Sequence, residues 1–153
     1  MAPGSEVARI TAALPSSLSC DPAEKPSTVT AEVASVFCYV GDGTVAYVTY
    51  SLYQNVSALR KDYGAWLDYY GLSMGTSGTC STGDRKEDIW TFESTPSISE
   101  GRYFCVVDDN NEANVYWTDE ASLILVDLSG DTDATLAQLY TLWRDSDYDP
   151  VRP

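Results

Sequence analysis

Val33-Ala-Ser-Val-Phe-Cys-Tyr-Val40, then Gly41-Asp-Gly43, then Thr44-Val-Ala-Tyr-Val-Thr-Tyr-Ser-Leu52 is the stretch on which the fold turns. β-branched and aromatic residues fill both runs and a Gly-Asp-Gly turn separates them, which is the composition of a β-hairpin. In the second run Ala46, Val48, Tyr50 and Leu52 fall on one side, and Val45, Tyr47, Thr49 and Ser51 on the other. Strand side chains alternate between faces, so the wholly apolar set belongs against a core. The rest of the chain must supply that core and extend the sheet.

Directly after the hairpin, Val56, Leu59, Tyr63, Trp66, Leu67 and Tyr70 recur at three- and four-residue intervals. This spacing predicts an amphipathic helix over 56–70, capped by Asn55 or Ser57 and stopped by Gly71. Residues 73–84 are rich in Gly, Ser and Thr and form a loop that Cys80 would pin. Strand-like runs at 88–92, 102–107, 114–118 and 123–128, divided by turn residues, predict an antiparallel meander. A final helix over 133–145 carries Leu136, Leu139, Tyr140 and Trp143 on one stripe, with Asp131 or Asp133 as its N-cap. On the N-terminal side, Val7, Ile10 and Leu14 give a short helix from Glu6 to Leu14 after a Ser5 cap, ended by Pro15, and residues 21–28 form a loop around Pro22 and Pro26. The expected fold is α+β: an antiparallel sheet of about six strands, with two main helices packed on one face and two disulfides. It forms one domain over 6–145, with vector-derived or linker residues at 1–5 and a flexible tail at 146–153.

The composition bounds the function. At 153 residues and 44% hydrophobic, the chain can bury a core. It carries 9 Lys+Arg against 23 Asp+Glu, a net charge of -14, and no histidine. Such a surface repels phosphate backbones and anionic lipid headgroups, so nucleic acid and electrostatic membrane docking are excluded as partners. Without imidazole there is no Ser-His or Cys-His catalytic pair and no His-ligated metal. Eleven of the acids and a single base, Arg144, fall between Asp108 and Asp149, so a charged ligand is expected to be cationic or metal-bridged.

Cys20, Cys38, Cys80 and Cys105 are even in number, and none forms a CxxC pair of the kind zinc sites use. Disulfides and an oxidising, extracytoplasmic compartment are the reading. Phe37-Cys38-Tyr39-Val40-Gly41-Asp42 is echoed by Phe104-Cys105-Val106-Val107-Asp108-Asp109, and each is followed by a strand and a helix ending near a tryptophan. That echo favours bridges within each half, Cys20 with Cys38 and Cys80 with Cys105, while the other two pairings stay open. Neither a signal peptide nor a membrane span is visible, so the chain reads as a piece whose secretion signal or anchor lies outside it.

Motifs for catalysis are weak. Gly71-Leu72-Ser73-Met74-Gly75 matches a nucleophile elbow in letters only, because it follows a helix and has no histidine to take a proton. No lysine stands three residues after a serine. Asp108, Asp109, Asn110, Asn111 and Glu112 offer hard oxygen ligands in one turn, but Ala113 occupies the glycine position of a calcium loop and Asp119 its glutamate position. Trp90 and Trp117 lie beside acids, in Asp88-Ile89-Trp90 and Trp117-Thr118-Asp119, and would suit either a sugar site or a core. Trp66 and Trp143, on helix stripes, read as core. The candidate ligand- or cation-binding residues are therefore Asp108, Asp109, Asn111, Glu112, Trp90, Trp117 and Asp119, with no catalytic residue, metal set or cofactor expected.

One further pattern spans residues 10–145. Leu14-Pro15, Cys20, Cys38 in a strand, Ser51-Leu52-Tyr53 leading into a helix, Cys80 in a glycine-rich loop, Gly101-Arg102-Tyr103-Phe104-Cys105, Val115-Tyr116-Trp117-Thr118-Asp119 and Leu139-Tyr140-Thr141-Leu142-Trp143 follow in order. In this order the chain resembles the extracytoplasmic domains of actinobacterial membrane-anchored serine/threonine kinases and related secreted proteins. The resemblance implies a non-catalytic extracytoplasmic binding or sensor domain, whose partner is an extracellular ligand or cell-wall component and whose membrane contact is through an anchor alone. It brings no catalytic residues, since the glycine-rich loop, HRD and DFG motifs of a kinase are absent. The competing expectation is a secreted hydrolase using a carboxylate pair about 5–10 Å apart; a purely structural or oligomerising role is the third.

Overall fold

The computed structural model describes residues 3–22, 32–145 and 148–150. Among the described residues seven strands form one sheet: β1 (Cys20–Pro22), β2 (Glu32–Tyr39), β3 (Val45–Tyr53), β4 (Lys86–Trp90), β5 (Gly101–Val107), β6 (Ala113–Asp119) and β7 (Ile124–Gly130). Their order is β1-β2-β3-β7-β6-β5-β4, with every neighbouring pair antiparallel. Three α-helices are present among the described residues: α1 (Pro3–Ala13), α2 (Val56–Tyr69) and α3 (Leu136–Arg144). After the β2–β3 hairpin the chain crosses by way of α2 to the far edge, and the meander β4 to β7 returns to pair with β3.

The α+β class, the antiparallel sheet and both disulfides, Cys20–Cys38 and Cys80–Cys105, are those expected. The seventh strand is β1, which the sequence leaves in a loop; it pairs with β2 at the register that sets Cys20 opposite Cys38. A bridge across 18 residues, or across 25, restricts the unfolded chain by about 3 kcal/mol in the loop-entropy account. Here the first one also holds an edge strand too short to persist alone.

The two main helices do not share a face. Leu136 and Leu139 of α3, with Ile10 of α1, pack on Val48, Tyr50, Cys105, Val115, Trp117 and Val126. Leu59, Tyr63 and Leu67 of α2 pack on Phe104, Val106, Tyr116 and Leu125, the alternate positions of the same strands. The physical reason is visible in β6, which is buried at every residue from Ala113 to Asp119. A sheet apolar on both sides needs cover on both sides, so cover on one face would have left Phe104 and Tyr116 in water. Within β3 a bulge between Val45 and Tyr47 changes the alternation, so Val45 rather than Ala46 joins Val48, Tyr50 and Leu52 in the core.

Helix ends follow local chemistry. Asn55 caps α2, its Oδ1 accepting from the Ala58 N–H at 2.8 Å. Gly71, at φ +70°, closes the same helix: its N–H reaches the Asp68 carbonyl, and the Leu72 N–H the Leu67 carbonyl. The N-cap of α3 is Thr135, not Asp131 or Asp133, because Thr135 and Gln138 hydrogen-bond each other's backbone reciprocally, which an aspartate two or four residues earlier cannot do. Tyr148, placed by sequence in a frayed tail, is buried, and its carbonyl accepts from the Tyr50 hydroxyl at 2.7 Å. Residues 146–147 and 151–153 of that tail, and 23–28 of the expected loop, lie outside the described residues.

One buried charge is built into the α2 side. Glu87 of β4 is 1% exposed and accepts from Nε and Nη2 of Arg102, each at 2.6 Å, from the Tyr63 hydroxyl at 2.7 Å and from the Gly75 N–H at 2.7 Å. One carboxylate thereby ties together β4, β5, α2 and the loop that follows α2.

Candidate functional site: an aromatic cleft between β4 and α3

The end of β4 and the stripe of α3 meet at a cleft of about 590 Å³. Trp90 reaches it from β4, Phe92 from the following turn, Tyr103 from β5, and Tyr140 and Trp143 from α3. Each is positioned by a local rule. Leu136 and Leu139 face the core, so Tyr140 and Trp143, one turn further along the same stripe, fall at its margin and remain half-buried. Trp90 is locked by its indole N–H, which donates to the Thr118 carbonyl at 2.7 Å. Beside it Gly101 admits no side chain, since a Cβ there would lie 2.0 Å from that carbonyl. The turn after β4 is closed by Thr95 N–H to Phe92 O and by Glu100 N–H to Trp90 O.

The rings are inclined to one another and do not form a flat platform. Trp143 lies 4.5 Å from Tyr103 and 5.7 Å from Tyr140, at 36° to each. Phe92 stands at 88° to Trp90 with centroids 5.4 Å apart. Glu93 and Asp149 join the lining with Arg144, whose guanidinium carbon is 5.9 Å from the centre of the Tyr140 ring. The Tyr103 hydroxyl is held well above its ordinary pKa, first by burial and then by Tyr140 and Asp88. Concave shape, aromatic lining and a few polar groups are the general make-up of a ligand site.

The opposite face holds a different constellation. Across the sheet Thr49, Asp127 and Tyr116 stand in register, and Phe104 stacks on Tyr116 at 4.7 Å and 9°. Burial raises the Asp127 carboxyl to about 6, against hydrogen bonds from Ser129 and Tyr116 that pull it down. Tyr116 in turn meets the Tyr70 hydroxyl at 3.2 Å. A carboxyl with a raised folded pKa favours the fold most below its unfolded value of 3.8 and loses that contribution as pH rises through about 6. Asp127→Asn keeps an acceptor for both hydroxyls and removes the charge. Its stabilising effect should be about 2 kcal/mol larger at pH 8 than at pH 4, by urea denaturation at both. The same effect at both pH values would contradict the assignment.

The structure distributes the sequence-selected residues over three places. Trp90 lines the aromatic cleft. Trp117 is fully buried in the α1/α3 core, and Asp119, 2% exposed, accepts the Ser122 hydroxyl at 2.8 Å, so both are inside the protein. Asp108, Asp109, Asn111 and Glu112 make the β5–β6 turn, where Asp108 Oδ1 accepts from the Asn110 and Glu112 N–H groups and Asn111 adopts φ +63°. That turn, with Tyr69, Tyr70 and Arg85, borders a second hollow of about 680 Å³. Among the described residues, no three Asp, Glu or Cys side chains gather as a metal ion would need. Sequence reasoning missed Phe92, Tyr103, Glu93 and Asp149 and gave Tyr140 and Trp143 to the core. The helix stripe was a usable signal for the last two, but nothing local tells that β4 ends beside α3.

Comparison of the chain with protein-family models, curated proteins and solved structures finds no match.

Proposed function

We propose that this chain is a non-catalytic, extracytoplasmic binding or sensor domain that takes its ligand in the cleft between β4 and α3. The observation that carries the reading is the cleft itself: half-buried Trp90, Tyr140 and Trp143 and exposed Phe92 around one concavity. Aromatic residues left at a solvent margin, instead of finished into a core, favour recognition. Two disulfides support an oxidising compartment. The resemblance noted above favours a membrane-anchored bacterial parent, with a serine/threonine kinase as the preferred one. The hydrolase alternative would draw on Glu93 and Asp149, the two carboxylates in the cleft lining.

The test is co-sedimentation with purified bacterial cell-wall sacculi, comparing the chain with a Phe92→Ala/Tyr140→Ala variant. Wild type should pellet with the sacculi and the double variant should stay in the supernatant. Equal behaviour of the two, or solubilisation of the sacculi by wild type that Glu93→Gln or Asp149→Asn abolishes, would overturn the reading.

A further inference from the structure

Resting on that reading, we infer that the cleft between β4 and α3 is an aromatic cage for an organic cation, a quaternary ammonium or a substituted amine. Three features of the cleft point there and away from a sugar. The first is ring geometry. Stacking on a pyranose wants one broad, accessible ring face, whereas Trp143 is tilted at 36° to both Tyr103 and Tyr140 and Phe92 stands at 88° to Trp90. Several inclined rings lining one concavity can offer more than one negative π face to a desolvated cation.

The second is charge. Among the described residues, Glu93 and Asp149 line the cleft with one base, Arg144, in a chain of net charge -14. Asp88, next to Ile89 of the lining, adds a further negative charge, with Lys86 at 3.9 Å and Arg102 as its basic neighbours. A neutral sugar gains little from such a field, and an anion is repelled by it. The third is an internal precedent: the Arg144 guanidinium already lies toward the Tyr140 ring, so a positive group is accommodated by an aromatic face at this very margin. With about 590 Å³ of space, the cleft has room for a cation carrying substituents.

The experiment uses choline and its uncharged carbon isostere 3,3-dimethylbutan-1-ol, with chitotetraose as the sugar probe. Binding is followed by tryptophan fluorescence, since Trp90 and Trp143 both line the cleft, and by calorimetry. Choline should bind at least about fivefold more tightly than the isostere, the margin a partly desolvated cation–π contact gives. Phe92→Leu keeps the apolar volume and removes a π face; Glu93→Gln removes a charge. Each should weaken choline about threefold and leave the isostere unchanged, with circular dichroism confirming the fold. Equal binding of choline and isostere, or binding of chitotetraose alone, overturns the cation assignment. In those cases, retention of wild type by sacculi would still uphold the binding reading, and failure there too would remove both.

Discussion

Glu87→Ala should destabilise the protein by about 3–5 kcal/mol, the cost of removing one partner from a buried ion pair. The loss exceeds one salt bridge because the carboxylate serves four donors: two nitrogens of Arg102, the Tyr63 hydroxyl and the Gly75 N–H. All are left without their acceptor at once, and three elements and a loop lose their common anchor. Against a total of about 5–15 kcal/mol for an ordinary domain, the variant stands near the limit of folding. The effect also has a pH signature. Burial pushes the Glu87 carboxyl up, but Arg102, Gly75 and Tyr63 outweigh it and hold it below its usual value of 4.5. A depressed folded value contributes stability above the unfolded pKa and loses it as pH falls through the folded one. Wild type should therefore lose more stability on acidification below about pH 4.5 than Glu87→Ala does. Urea midpoints at pH 7 and pH 3 measure both, and a loss under about 1 kcal/mol at pH 7 would show the cluster to be weakly coupled.

Trp117→Ala should cost about 3–5 kcal/mol as well, by a different route. The indole is fully buried at the middle of the sheet, paired in register with Tyr103 and Val126, and its ring lies 6.0 Å from that of Trp143. Its removal leaves a cavity that strands on both sides, fixed by hydrogen bonding, cannot close. Trp117→Phe should recover more than half of the loss. Thermal and urea denaturation check this, and a change within about 0.5 kcal/mol would place Trp117 on the surface instead. The contrast with Phe92 is instructive: an exposed aromatic at the cleft rim should change binding while leaving stability nearly intact.

The two residues also mark how far local reading reaches. Trp90 and Trp117 are indistinguishable in sequence, each on a strand and each near an aspartate. One ends at a cleft and the other in the core because β4 is the sheet edge and β6 an interior strand, and strand order is not a local property. The Glu87–Arg102 pair is equally hidden, since 23 acids offer no reason to single one out until β4 and β5 are set in register. The acidic turn Asp108–Glu112 is the reverse case. Its composition reads as turn or ligand set, and the structure uses Asp108 to close the hairpin.

What the sequence determined by itself is whatever depends on neighbours along the chain: the β2–β3 hairpin, the period of α2 and its Gly71 end, the meander and the net charge; it narrowed the cap to Asn55 or Ser57 and favoured the cysteine pairs without fixing them. Alternation, helical period and capping act within a few residues, so local pattern suffices for them. The tertiary structure alone decided that α2 and α3 cover opposite faces, that β7 inserts beside β3, and that the tip of β4 meets α3 to form the cleft. Those outcomes rest on which apolar surfaces find each other across the sheet, and hydrophobic burial, being non-directional, carries no address in the local sequence.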